Sequence, residues 1–153
     1  MSRSVGLALH RTGAAGRTEV LIGHMGGPFF ARKDEGGWTF PKGLVDAGED
    51  ELATAEREFH EELGAPPPPG ESVDLGEVKR SGKTIRLFAR PGDFDASAAV
   101  SNTFELEWPR GSGRVEVFPE VDRAAWVDLD EAERLLARNQ VPFVARLRAM
   151  MAP

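Results

Sequence analysis

The 153-residue chain has no cysteine, which excludes a disulfide framework and thiol chemistry and leaves its redox compartment open. Histidine is nearly as scarce, with three residues. His10 and His24 fall at the ends of predicted strands with no cysteine or second histidine nearby to complete a transition-metal site, and structural or surface roles suit them. No stretch reaches the length of a membrane span, and the apolar run in MSRSVGLALHR is too short for a signal peptide. The expectation is a cytoplasmic protein with no membrane partner. Positive charge is in deficit too. A net charge of -6 and a pI near 5.1 argue against binding polymeric nucleic acid, whose usual footprint is a basic surface. Neither an internal repeat nor a long linker divides the chain, and its length suits one domain over residues 1–153.

What the chain has in quantity is carboxylate, and residues 43–64, GLVDAGEDELATAEREFHEELG, concentrate it. Leu52, Ala55, Phe59 and Leu63 recur at three- and four-residue intervals, which predicts a helix over Glu51 to Leu63 with one buried face. At about 100° per residue, Glu58, Glu61 and Glu62 occupy an arc about 100° wide beside that stripe, and Glu51 projects along the same line. A solvated helix face normally carries Lys or Arg three or four residues from each Glu, because like charges at that spacing repel. Here Arg57 alone opposes seven acids between Glu49 and Glu62. Such crowding suits a hard divalent cation, which takes oxygen ligands and shares them with a substrate's phosphates.

The stretch resembles the signature of the Nudix hydrolases, G-x5-E-x7-R-E-U-x-E-E-x-G-U with U a bulky aliphatic residue. Gly43, Glu49, Arg57, Glu58, Glu61, Glu62 and Gly64 stand where that pattern asks, while Phe59 and Ala65 depart from it at packing positions. The resemblance implies an α/β fold, the Nudix α/β/α sandwich around a mixed sheet; the residue pattern alone reaches α/β in one domain. It implies Mg²⁺, with Mn²⁺ as the alternative, held by Glu58, Glu61, Glu62 and the backbone carbonyl of Gly43. It also implies that Arg57, read by helical geometry as pointing away from the acids, pairs with Glu49 to hold the loop on the helix.

Before the signature, WTFPKG is similar to a run in diadenosine tetraphosphate hydrolases of the Nudix family, and Val5 to Gly64 as a whole is similar to predicted Nudix NTP pyrophosphohydrolases. The loop GGPFFARKDEGG leads into it. Arg32, Lys33 and Lys42 suit phosphate oxygens; Trp38 suits a base, and Phe29 and Phe30 either stack on one or close the core.

The rest of the chain supplies strands and two terminal helices. Strands are expected at Ser4 to His10, Glu19 to Met25, Ser72 to Arg80, Thr84 to Arg90 and Thr103 to Trp108, with a surface loop over residues 91–102. Further strand-like runs cover 115–120 and 124–127; Asp128 or Asp130 caps a helix through Glu131 to Arg138, and Pro142 opens a last one to Met150. By resemblance, a Glu outside the signature completes the metal site or acts as base; Glu120 has the position for it, with Glu105, Glu107 and Glu116 as alternatives. The implied reaction is metal-dependent cleavage of a diphosphate linkage in a small nucleotide, a dinucleoside polyphosphate first and an oxidised nucleoside triphosphate second. A non-catalytic nucleotide- or protein-binding module is the reading from another class, and a homodimer is left open.

Overall fold

The structure is a computed structural model, and it describes residues 2–153; Met1 of the expected 1–153 span lies outside them. β1 (Ser2–Thr12) is its axis. Its beginning pairs antiparallel with β4 (Lys42–Leu44), its end antiparallel with β2 (Thr18–Met25), and its residues from Ser2 to His10 parallel with β6 (Lys83–Pro91). The sheet runs β3-β2-β1-β6-β5, with β3 (Trp38–Thr39) and β5 (Val73–Arg80) at its ends and β9 (Val121–Asp128) also paired to β2. Parallel and antiparallel pairs therefore coexist in one mixed sheet.

Side chains alternate across the pleat and feed two cores. Val5, Leu7, Leu9, Leu21 and Phe88 face α1 (Glu51–Leu63) and meet its Ala55, Phe59 and Leu63. Ala8, Val20, Ile22, Ile85 and Leu87 face the other way, onto α2 (Leu129–Leu135) and α3 (Pro142–Met151). Helices on both faces of a mixed sheet make the α/β/α sandwich. Each fully buried Leu or Phe of these cores contributes about 1.5–3 kcal/mol of transfer free energy.

The bounds of α1 follow from its ends. Asp50 accepts a hydrogen bond from the Ala53 N–H at 2.9 Å, satisfying a free donor of the first turn. Gly64 adopts φ +87°, the left-handed turn that closes a helix, and its N–H donates to the His60 carbonyl at 2.8 Å. The following prolines, Pro66 to Pro69, cannot continue it.

Four expectations change. The helix expected through Arg138 ends at Leu135, because the Ala137 N–H is taken by the Trp38 carbonyl at 2.8 Å and draws the chain to the sheet edge. The loop 91–102 contains one 3-10 turn, Ala96–Ala98, capped by the Asp95 side chain. The strand expected through Trp108 ends at Glu107: β7 (Thr103–Glu107) pairs with β8 (Val115–Pro119) as a ribbon apart from the main sheet, Phe104 opposite Phe118. Glu51 does not join the carboxylate line, since Arg3 of β1 and Arg86 of β6 clasp it at the opposite end of α1.

Candidate functional site

Two structural units bring acids together at the C-terminal half of α1, and a third, β4, leaves room for them. Glu58 and Glu62 lie one helical turn apart on the helix. Glu62 is 8% exposed, and burial together with the charges of Glu58 and Glu120 pushes its carboxyl up to about 9. Burial, then the Glu61 charge, raises Glu58 as well, against the lowering pull of Arg57. Gly43 of β4 comes so close that a Cβ there would strike the Glu58 carboxylate, so only glycine leaves that carboxylate its space.

Glu120 arrives from the turn between β8 and β9, and its charge raises both Glu58 and Glu62. Its position follows from unsatisfied carbonyls at the end of α1. The Asn102 N–H donates to the Glu61 carbonyl at 2.8 Å, the Glu120 N–H to the Asn102 carbonyl at 2.9 Å, and the Gly26 N–H to the Glu120 carbonyl at 2.9 Å. A relay of main-chain bonds thus runs from helix to ribbon to loop. Of the alternatives, Glu105 and Glu107 are on the exposed face of β7, and Glu107 accepts from the Gly111 N–H at 2.7 Å. Glu116 is exposed on β8.

Arg57 corrects the reading that it points away from the acids. Its guanidinium donates to Glu61 at 3.0 Å and Glu58 at 3.2 Å, with Glu49 more distant at 3.6 Å. The long arginine stem lets it swing along the helix to its i+4 neighbour, a favourable pairing that helical angles at Cα do not reveal. Glu49 also fastens the loop locally, accepting from the Asp46 N–H at 2.8 Å.

A cleft of about 950 Å³, in the range of small-molecule sites, has none of Glu58, Glu61, Glu62 and Glu120 in its lining. Lys42 lines it and also lowers the Glu62 carboxyl, so this lysine joins cleft and acids. Lys33 and Phe30 line it from the loop. Two expected substrate residues are placed elsewhere. Trp38 is 5% exposed, its Nε1–H donates to Asp34 at 3.0 Å and its ring meets the buried His24 edge-on, so it is core rather than a base platform. Arg32 is exposed and does not line the cleft. Phe29 lies 56% exposed and edge-on to Trp108. Arg80, Lys83 and Arg138 line the cleft without having been anticipated; the run Lys79-Arg80-Ser81-Gly82-Lys83 reads in sequence only as a turn.

The donor set fits a hard divalent ion in kind. Its side-chain donors are all carboxylates, and Glu62 and Glu120 take part in no ion pair among the described residues. Among those residues no three His, Cys, Asp or Glu side chains form a closed metal cluster as they stand; Glu61 is drawn onto Arg57 and would have to leave it.

Known proteins place this geometry. The NUDIX domain family model matches residues 2–147. A search of curated proteins by sequence yields no significant match. Among solved structures, the NUDIX domain of Shewanella oneidensis NrtR complexed with ADP ribose superposes with a TM-score of 0.65 at 17% identity, covering 99% of this chain and 89% of that one. A C. elegans Ap4A hydrolase binary complex gives 0.60 at 22% identity, covering 99% and 98%. The E. coli ORF135 protein gives 0.60 at 23%, covering 99% and 91%. At these identities the likeness is one of fold. With the family match across nearly its whole length, the chain belongs to the Nudix hydrolase family.

Proposed function

We propose that this single-domain Nudix hydrolase cleaves a diphosphate linkage in a nucleotide, and that its preferred substrate is a dinucleoside polyphosphate. One observation carries the reading: the buried Glu62 carboxylate, with the half-buried Glu58 and with Glu120 alongside, feels the charge of Lys42, and Lys42 itself lines the cationic cleft. A polyphosphate needs both halves, cations for its oxygens and acids to organise the attack. The size of the cleft and its several cations favour a substrate with a long phosphate chain. The likeness of WTFPKG to diadenosine tetraphosphate hydrolases points the same way, with Trp38 supporting the site from the core rather than touching the base.

Glu58, Glu61, Glu62 and the Gly43 carbonyl are the groups that would hold Mg²⁺ or Mn²⁺. The ion when bound neutralises phosphate charge and makes a water more acidic. The protein's own work is positional. Lys42 and Lys33 orient the phosphate chain and stabilise charge developing on its oxygens. A water attacks phosphorus, Glu58 or Glu120 takes its proton, and the bridging P–O bond breaks so that the other phosphate leaves with the bridging oxygen. Glu58 stands within the carboxylate cluster of the helix, whereas Glu120 is the more open to solvent.

The test is product release from dinucleoside polyphosphates, nucleoside triphosphates, nucleotide sugars and dinucleotide cofactors, with Mg²⁺ and with chelator. A dinucleoside polyphosphate yields two nucleotides, whereas a triphosphate yields a monophosphate and pyrophosphate. Metal-dependent production of the former pair is expected. Monophosphate with pyrophosphate from triphosphates alone would move the assignment to the nucleotide-pool reading, and nucleotide binding with no turnover to a binding module.

A further inference from the structure

We propose that the end of the cleft remote from the carboxylates is a second anion subsite, formed by Arg80, Lys83 and Arg138, that holds phosphates of the substrate distal to the bond being cut. The proposal rests on the polyphosphate reading above and adds to it that phosphate-chain length is itself recognised.

Three observations converge. Arg80 and Lys83 are direct cross-strand partners at the end of the β5–β6 hairpin. Their turn residues Ser81 and Gly82 both adopt positive φ, +53° and +76°, the primed turn that holds two strands in tight register. Like charges directly opposite in a ladder repel, and no carboxylate relieves either one among the described residues. The hairpin therefore keeps an unfavourable pair at its tip.

Arg138 reaches the same cleft from another direction, the segment between α2 and α3, and it too has no ion-pair partner among the described residues. Most other arginines of the chain are held by carboxylates, Arg3, Arg86 and Arg90 among them. The acids that line the cleft do not offset this charge. Glu35 is 3.5 Å from Arg134, and Glu133 is 3.8 Å from Arg148. Of the cations with no ion pair among the described residues, Lys33, Lys42, Arg80, Lys83 and Arg138 surround one cavity, while Arg32, Lys79, Arg110, Arg114 and Arg146 lie outside its lining. Lys42 pairs with Gly6 on one side of β1 and Lys83 with Ser2 on the other, so an anion touching both must be extended. A phosphate chain has that shape and the repeated charge.

The test is titration calorimetry with inorganic diphosphate and inorganic tetrapolyphosphate in the presence of chelator, on wild type, Arg80→Gln/Lys83→Gln and Arg138→Gln. Wild type is expected to bind tetrapolyphosphate more tightly than diphosphate. Each variant should weaken tetrapolyphosphate roughly tenfold and leave diphosphate unchanged, because a charge-assisted contact is lost only for the longer ion. The substituted side chains are exposed, and Arg138 lies on a different element from the hairpin, so misfolding of one variant leaves the other informative. Wild-type affinity for tetrapolyphosphate in both variants, or equal losses for the two anions, overturns the subsite. Turnover separates the two readings: hydrolysis that persists without a chain-length effect removes the subsite alone, whereas a chain-length effect without hydrolysis of any nucleotide removes the catalytic reading and keeps the subsite.

Discussion

The two ends of α1 carry the same side chain in opposite electrostatic states. At the N-terminal end, hydrogen bonds from Arg3 and then Arg86 hold the Glu51 carboxyl down to about 2. At the C-terminal end, burial beside Glu58 and Glu120 drives Glu62 up to about 9. Residue type and secondary structure are identical; the neighbours differ. Where the sheet sends arginines from β1 and β6, the acid is a clasp between helix and sheet. Where β4 sends a glycine and the ribbon turn sends another acid, the carboxylates are left wanting a cation.

Exchange at the two ends tests that contrast. The largest effect is expected from Glu62→Gln, which should lower turnover about a hundredfold or more with the fold intact. Its stability should move the other way. Because the folded-state value of Glu62 lies above the ordinary 4.5, the folded chain binds the extra proton between about pH 4.5 and 9, and stability falls as pH rises through that window. Removing the group removes the penalty, so metal-free Glu62→Gln should melt higher than metal-free wild type at pH 7 to 8. A lower melting temperature would contradict the assignment of strain to this end.

Next in size is the response to metal. Saturating Mg²⁺ should raise the wild-type unfolding temperature, by the equivalent of about 2.7 kcal/mol at a hundred times Kd, and chelator should reverse it. Glu62→Gln should show a much smaller shift in the same thermal scan, whereas Glu51→Gln should respond as wild type does.

Glu51→Gln should cost about 1 kcal/mol at neutral pH, a modest figure because Arg3 and Arg86 remain partly solvated. The sign is opposite to that of Glu62. A carboxyl depressed in the folded state gives its full stabilisation above the ordinary 4.5 and loses it as pH falls through about 2. Denaturant unfolding from pH 7 to 2 should therefore show the two proteins converging in acid. The smallest effect belongs to Arg57→Gln, a few tenths of a kcal/mol in the same assay, since its pairs with Glu58 and Glu61 lie on the exposed side of the helix.

Local periodicity carried much of this to the reader of the sequence. The bounds of α1, its buried stripe, the strand pairs around it and the acids of its second half are all short-range patterns, and they stand where the spacing puts them. What escaped depends on contacts between distant segments. Trp38 reads alike whether it faces ligand or core, and only the crossing of α2 beneath the sheet edge decides it. Arg57 shows its partner only when its rotamer is known. Arg80, Lys83 and Arg138 become neighbours of one cleft because β6 runs parallel to β1 and the segment after α2 turns back toward it, a topology that no window of sequence contains.

The relay from the Glu61 carbonyl through Asn102 to Glu120 and Gly26 has a consequence for how this chain can vary. Every link is main chain, so the spacing between the helical acids and Glu120 is indifferent to which side chain occupies position 102. Drift there is nearly free. Proline is the exception at positions 102 and 120, since it deletes a donor N–H and cuts the line that sets how far apart the acids stand. The register of the site is written in amide bonds, and at positions 102 and 120 it should follow the presence of an N–H, whereas at Gly26 any Cβ would strike the Pro119 carbonyl.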